Sequence, residues 1–363
     1  MTEARPTMIV ELDGTGHRFY LVRLLVEEAL AQGREVVLLT VSGPVVAKYR
    51  EPLLGSLVER VRLVEVPERS WRVVEQTARE VGPEVTVLSE CDWCIAHLAT
   101  RGGWHGPGRL RMLLMRDYPS TDQNPLVFLA KLVVKVAAMV ACTLLPRIRF
   151  FVLRSPLWRG RSVWRDVRDP VGLERTPGDV DRVRRDLGMT DDRYWFGIIG
   201  MINTSKNVPT VADALCRLCS SAPAHERPYG LVLAGHIADQ MRQDVDAAVQ
   251  RLKEAGIEVV LADRFLGREE FDAMIGAVDC FVVAYSRDAP SGTFVKAVAS
   301  GCRVVAAGAK TLRDDAATVP GVASWTELEP AALAEALAAA SRLPRPTPVP
   351  LAGEAEFARR LLG

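Results

Sequence analysis

The sequence predicts an α/β protein made of two Rossmann-like parallel-sheet domains facing a cleft. Three observations predict it. Short apolar runs alternate with helix-like segments along most of the chain, the pattern of strand–helix–strand units and a parallel sheet. The 363 residues, 48% of them hydrophobic, exceed what one core organises and suffice for two domains of ordinary size. A charged, Pro- and Gly-bearing stretch from Trp164 to Asp192 breaks the alternation near the middle, as an interdomain connector does.

In the first domain, residues 1–165, MIVELDG (8–14) reads as a strand. The loop GTGH hands over to RFYLVRLLVEEALAQ, a helix that Gly33 stops. REVVLLTV is the next strand, SGPVVAKYREPLLGSLV a helix, RVRLVEVP (60–67) a strand and SWRVVEQTAREVG a helix. EVTVLSECD (84–92) and RLRMLLMRD (109–117) are strands, separated by RGGWHGPG, a glycine-rich loop expected to be mobile. LVFLAKLVVKVAAMVACTLL (126–145) is apolar over about a membrane's thickness. Lys131 and Lys135 interrupt it one turn apart, and a charge near the centre of a spanning helix costs roughly 2.5–3.5 kcal/mol, so a domain helix is expected. RIRFFVLRS (147–155) is a strand within an Arg-rich tract. The simpler reading of 126–168 is a core helix, a strand and a charged surface; the other is peripheral contact with an anionic membrane.

Residues 166–192 are expected to be the interdomain linker. In the second domain, 193–345, four apolar runs each end where a helix begins. YWFGIIGMI (194–202) leads through NTSKN to VPTVADALCRL, and YGLVLAGHI (229–237) leads to ADQMRQDVDAAVQRLKEAG. IEVVLADRFL (257–266) leads to GREEFDAMIGAVD, and CFVVAYS (280–286) to SGTFVKAVASG and a further strand, CRVVAAGA. LEPAALAEALAAASRL is an Ala-rich helix and RPTPVP an extended spacer. EAEFARRLLG, in the tail 346–363, is a short last helix expected to cross back onto the first domain.

Composition excludes several classes. A formal net charge of +1 demands no nucleic acid as partner. The start, MTEARPTMIVELDG, has no charged-then-apolar leader, and seven scattered cysteines suit reduced thiols, so a cytoplasmic location is expected. The abundance of Arg, Ala and Val points to a bacterial source. Cys91/Cys94 and Cys216/Cys219 stand 125 residues apart and read as core filling rather than zinc ligands. Asp179-Val180-Asp181 and Asp244-Val245-Asp246 match the DxD metal pattern but lie in helical stretches, so no metal site is expected. There is neither a GxSxG nucleophile elbow nor a Walker phosphate loop. Gly14-Thr15-Gly16 joins strand to helix, yet Phe19 stands where a dinucleotide fingerprint needs its third glycine. The second strand ends in Leu39, Thr40 and Val41 without the expected acidic residue, which argues against nicotinamide. The turn is better read as an acceptor loop where backbone approaches substrate, with His17 at the helix start; a plain tight turn is the alternative.

Ligands of parallel sheets bind beyond the carboxyl ends of the strands. Gly200 and the loop Asn203 to Lys206 fall there after the first strand of the second domain, and Gly235 and His236 after the next. Arg264-Phe265-Leu266 ends the third, and Asp288, Ser291-Gly292-Thr293 and Lys296 follow the fourth. A lysine reaches a diphosphate as a point charge. The 264–266 segment offers an edge to clamp a flat base. Ser291-Gly292-Thr293 presents backbone N–H groups and hydroxyls to an anion at a helix start.

Over 194–308 the chain resembles the donor-binding domain of GT-B glycosyltransferases, particularly the retaining family 4 group. GMINTSKNVPTVADAL resembles its loop-and-helix segment carrying a lysine, LVLAGH its glycine turn, DRFLGREEFDAMIGAVDCFVVAYS its base-holding element, and VKAVASGCRVVAAG its E-A-x-A-x-G-x-P-V-V segment. The likeness over 8–155 is weaker. The resemblance implies transfer of a sugar from a UDP- or GDP-linked donor to a small or lipid-linked hydroxylated acceptor, with retention, no metal and no permanently bound cofactor. It implies that Lys206, Ser291-Gly292-Thr293 and Lys296 offset the leaving charge, each such donor contributing roughly 3–4 kcal/mol. Acceptor contacts would come from Gly16, His17, Asp92 and Asp117, the two aspartates as catalytic-site carboxylates or, alternatively, as N-caps. Two positions depart from the family: Met201 replaces an arginine, and Lys296 replaces the glutamate that accepts hydrogen bonds from ribose. An ammonium only donates, so Lys296 is expected to hold a phosphate or an acidic sugar instead. Asp288 falls where the family's other carboxylate would be, with different glycine spacing. Rival readings are a non-catalytic binding module and a nucleotide-sugar epimerase on the same fold.

Overall fold

A computed structural model of the chain describes residues 5–13, 18–119, 124–221, 227–286, 288, 291–351 and 354–363. It divides into two compact units. The first comprises Met1–Arg154, Gly160–Pro170 and Ala352–Gly363, and the second Ser155–Arg159 and Val171–Leu351.

In the first unit, β1 (Thr7–Glu11), β2 (Val36–Val41), β3 (Arg62–Val66), β4 (Val85–Leu88), β5 (Arg109–Leu114), β6 (Ile148–Arg154) and β7 (Asp166–Arg168) form one parallel sheet, ordered β3-β2-β1-β4-β5-β6-β7. β1 and β4 are buried from end to end, which is why they read as continuous apolar runs. The crossovers are α1 (Arg18–Ala31), α2 (Pro44–Leu54), α3 (Trp71–Val81), the short α4 (Ile95–Thr100) and α5 (Pro125–Leu144). Strand order reverses between β1 and β4, so the loops after these strands diverge and leave room for a ligand.

The second unit holds α6 (Pro177–Asp186), β8 (Tyr194–Ile199), α7 (Val208–Ser221), β9 (Tyr229–Ala234), α8 (Arg242–Glu254) and β10 (Glu258–Ala262). It continues with α9 (Arg268–Ala277), β11 (Cys280–Tyr285), α10 (Gly292–Ala299), β12 (Arg303–Gly308), α11 (Lys310–Ala317), β13 (Ala323–Thr326) and α12 (Pro330–Ser341). Its parallel sheet is ordered β10-β9-β8-β11-β12-β13, with the reversal between β8 and β11. Apolar cores cover both of its faces, one around Phe196, Leu215 and Leu233, the other around Trp195, Phe281 and Phe294. The last helix, α13 (Glu354–Leu362), belongs to the first unit. It buries Phe357, Leu361 and Leu362 in the core shared with Phe19, Leu21 and Leu25 of α1.

Three segments differ from the sequence expectation. The span 166–192 is not only a connector, since β7 extends the first sheet and α6 packs on α9. α6 lacks an apolar run but starts with a capping box: the Thr176 amide and hydroxyl donate to the Asp179 carboxylate at 2.6 and 2.7 Å. The loop RGGWHGPG is held rather than mobile. Trp104 is buried edge-on against Trp71 at 5.8 Å, and Arg147 donates to the Trp104 and Gly106 carbonyls at 2.8 and 3.2 Å. α5 is not a core helix, for only Ala138, Met139 and Cys142 are buried and Leu126, Leu129, Val133 and Leu144 stand more than half exposed.

Candidate functional site

In the second unit the carboxyl ends of β8 and β11 meet at the strand-order reversal, and several sequence-nominated residues meet there. The backbone leaves β8 through Gly200 at φ 110°. A side chain at Gly200 would point at Lys206 Nζ and Thr293 Cγ2, 3.7 and 3.9 Å away. Lys206 sits on a short 3-10 turn, Thr204–Lys206, which Asn203 caps by accepting from the Ser205 amide at 3.1 Å. Its ammonium is buried and donates to the Tyr285 hydroxyl at 2.9 Å and the Ile199 carbonyl at 3.4 Å. Tyr285 ends β11, and its hydroxyl lies 3.0 Å from Thr293 Oγ1 and 3.4 Å from Ser291 Oγ. Ser291 in turn caps α10, accepting from the Phe294 amide at 3.2 Å, and Gly292 opens that helix onto unfilled space. Burial pushes the Tyr285 phenol up, but the Lys206 charge and the hydrogen bonds around it outweigh burial and leave it below its ordinary value.

The neighbouring turn is equally constrained. Gly235, at φ 128°, approaches so closely that a Cβ would lie 2.2 Å from the Gly200 carbonyl oxygen. Beyond it, Ile202 and Ile237 pair in parallel, extending the β8–β9 ladder past Gly200. His236 stacks on Phe265 with centroids 4.9 Å apart and planes 19° off parallel. Phe265 is 52% exposed, so the pair forms a flat aromatic shelf open to solvent. Asp263 fixes the shelf, accepting from the Ile237 amide at 2.9 Å and Arg242 at 2.6 Å. Arg264 pairs with Glu270 at 2.6 Å, and Leu266 packs against the core beneath.

Two nominated residues lie elsewhere. Lys296 was expected to hold a phosphate or an acidic sugar; instead it donates to the wholly buried Asp272 at 2.5 Å. The second Asp272 oxygen accepts from the Glu174 amide at 2.7 Å, so this pair fixes α10 to α9 and to the segment before α6. A buried carboxylate requires such a partner, and that requirement claims the ammonium. Asp288 accepts from the Thr311 amide at 3.2 Å in the first turn of α11.

In the first unit a hollow of about 600 Å³ opens beyond β1 and β4, at the corresponding reversal. Arg18 reaches Asp13 at 2.9 Å and Glu90 at 3.2 Å, and Glu90 also accepts from the Asp92 amide at 2.7 Å. Burial raises the Glu90 carboxyl above the ordinary range, with the Arg18 charge offsetting part of it. Asp92 faces the hollow, accepting from the Met115 amide at 2.8 Å and from the Lys135 ammonium. Asp117 does not share this position. It does not line the hollow, and Arg154 holds it in a two-pronged pair at 3.1 and 2.5 Å. Gly14, Thr15, Gly16 and His17 lie outside the described residues.

Sequence reasoning missed Tyr285, Asp272, Arg18 and Glu90. Tyr285 ends β11 and Glu90 lies two residues beyond β4, both at the reversals, and strand order, which sets them apart from other strand ends, is not written in any local motif. Among the described residues no group of three or more His, Cys, Asp or Glu side chains is arranged to hold a metal ion.

No protein-family model matches the chain, and no curated protein matches it in sequence. Solved structures match over nearly its whole length. A glycosyltransferase from Rickettsia africae has a TM-score of 0.64 at 10% identity, covering 99% of this chain and 92% of its own. HepE of Anabaena, solved with UDP and glucose, gives 0.60 at 16% identity, covering 98% and 94%. Sucrose-phosphate synthase from Thermosynechococcus elongatus gives 0.57 at 13% identity, also covering 98% and 94%. Identities this low speak to architecture alone. With its two parallel-sheet α/β units and a last helix returned to the first, the chain has the GT-B fold.

Proposed function

We propose that this chain is a glycosyltransferase that moves a sugar from a nucleoside-diphosphate sugar, UDP- or GDP-linked, to a hydroxylated acceptor. The observation that carries it is the convergence of Lys206, Ser291 and Thr293 on one phenol beside Gly200, at the strand-order reversal of the second sheet. An ammonium, two hydroxyls and the amino end of an eight-residue helix form a set suited to a diphosphate. The His236–Phe265 shelf suits the base. HepE, a structural neighbour, was solved with UDP and with UDP-glucose. Acceptor recognition falls to Glu90 and Asp92 in the first unit, with the 14–17 loop. Retention of configuration without a metal, and a cytoplasmic bacterial setting with peripheral membrane contact through 126–168, belong to the same reading. Incubating the purified chain with a panel of UDP- and GDP-sugars and a bacterial extract tests it by mass spectrometry. Release of nucleoside diphosphate together with a glycosylated product supports it; intact donors throughout refute it.

The Lys296–Asp272 pair gives a second reading its footing, because the ribose-binding carboxylate expected from the resemblance is replaced by an internal ion pair. On that reading the chain is a non-catalytic binding module. Calorimetric titration with UDP and GDP discriminates: a module without donor capacity gives no heat with either.

A further inference from the structure

The outer face of α5 is apolar and uncovered. Leu126, Leu129, Val133, Val136, Val140 and Leu144 follow one another at helical spacing, each between 37% and 81% exposed. The window has a mean hydropathy of 2.1, and only 17% of it is buried. A helix apolar nearly all round is normally enclosed by protein or by lipid. Spanning is excluded by topology, because α5 joins neighbouring parallel strands β5 and β6 and packs Ala138, Met139 and Cys142 into the core of its own unit. The helix therefore lies along a surface, its apolar stripe outward.

Charge indicates which surface. From Pro125 to Arg165 the sequence has eight Lys and Arg and no Asp or Glu. At the amino half of α5, Lys131 and Lys135 line the 600 Å³ hollow together with Arg18 and Arg116. Its two carboxylates, Glu90 and Asp92, already face Arg18 and Lys135. At the carboxyl end, Arg149 and Arg165 line a second hollow of about 400 Å³ with Cys142 and Thr143. Cations at both ends of an apolar stripe match an anionic bilayer, where apolar burial and attraction to head groups act together. A second copy of the chain would bring the same positive charges against themselves. Val134 is 60% exposed and also lines the larger hollow, so stripe and hollow are continuous.

We propose that α5 seats the first unit on an anionic phospholipid surface and that the adjoining hollow grips a phosphate-bearing head group through Arg116 and Lys131. This rests on the membrane contact in the proposed function and gives it a lipid class, a seating element and a head-group site. It makes a lipid-borne molecule the natural acceptor.

The test is co-sedimentation of the full chain with vesicles of phosphatidylcholine alone and of phosphatidylcholine with phosphatidylglycerol at about 3:1. Binding is expected only with the anionic lipid and should weaken as salt is raised. Leu129→Asp/Val133→Asp, at exposed positions, is expected to lower the bound fraction at least ~tenfold. Arg116→Glu/Lys131→Glu keeps the stripe and is expected to remove the preference for anionic over neutral vesicles. Absence of binding to anionic vesicles overturns the proposal, as does unchanged binding by Leu129→Asp/Val133→Asp. A concentration-dependent dimer that this variant dissolves, without vesicle binding, also overturns it. Retained anionic preference in Arg116→Glu/Lys131→Glu overturns the head-group site. Calorimetry with UDP on the same samples separates the two readings, because nucleotide binding resides in the other unit and should be the same in every variant.

Discussion

Lys206→Met is the most incisive perturbation of the proposed donor site. The ammonium is buried and donates to the Tyr285 hydroxyl and the Ile199 carbonyl, at 2.9 and 3.4 Å. Removing a charged hydrogen-bond donor from such a place costs roughly 1.5–3 kcal/mol of folding free energy. That is less than the roughly 5–15 kcal/mol available to a domain, so the variant should fold. The loss to a bound diphosphate is larger in consequence. A unit charge about 4 Å from another at an effective dielectric near 20 contributes ~4 kcal/mol, of which the hydroxyls and helix amides replace only a part. Retaining even ~3 kcal/mol as a net loss weakens nucleoside-diphosphate binding by more than ~100-fold. Calorimetry with UDP and GDP measures this directly, and thermal unfolding of the same sample verifies the fold. A variant that unfolds cooperatively and binds the nucleotide as tightly as the parent protein would refute the assignment of Lys206 to the diphosphate.

Three further outcomes follow from the same geometry. Gly235→Ala should destabilise the second unit by about 3–5 kcal/mol in urea unfolding, since φ is 128° and the Cβ would meet a backbone oxygen 2.2 Å away; a loss under ~1 kcal/mol would show that the turn yields. Asp315, 7% exposed, is raised by burial to about 6, above its ordinary 3.8, so folding is penalised increasingly as pH rises from about 4 and fully above pH 6. The penalty is ~3 kcal/mol at pH 7 and fades as pH falls toward 4, so Asp315→Asn should stabilise at pH 7 by up to that amount and lose its advantage at pH 4. Tyr285 lies below the ordinary tyrosine value, so the stability it adds is full above the unfolded-state value near 10 and is lost as pH falls through the folded one. An alkaline absorbance titration should therefore show one tyrosine ionising ahead of the rest, a step that Lys206→Met abolishes; its persistence in the variant would disconnect the two groups.

Much of the architecture is legible in the sequence because its physical cause is local. Strands buried on both faces, such as Met8–Val10 and Phe281–Val283, write themselves as continuous apolar runs. The lysine and the Ser-Gly-Thr segment could be nominated because strand ends are where such sheets bind ligands. What could not be read depends on pairs far apart in the chain. Lys296 lost its expected role to Asp272, 24 residues earlier, a partnership that no local pattern announces. Asp117 pairs with Arg154, 37 residues later, in the same way. Helix α6 was written in the sequence as Thr176 and Asp179 of a capping box, but charge density masked it. The exposure of α5 was hidden for another reason: a helix apolar on nearly every side has no periodicity to say which side is buried.

A crystal structure of the chain soaked with UDP and with GDP tests the central claim most directly. The account predicts diphosphate oxygens within hydrogen-bond distance of Lys206 Nζ and of the Ser291–Thr293 turn, with the base against Phe265. A diphosphate bound elsewhere, or neither nucleotide bound at saturating concentration, would contradict it.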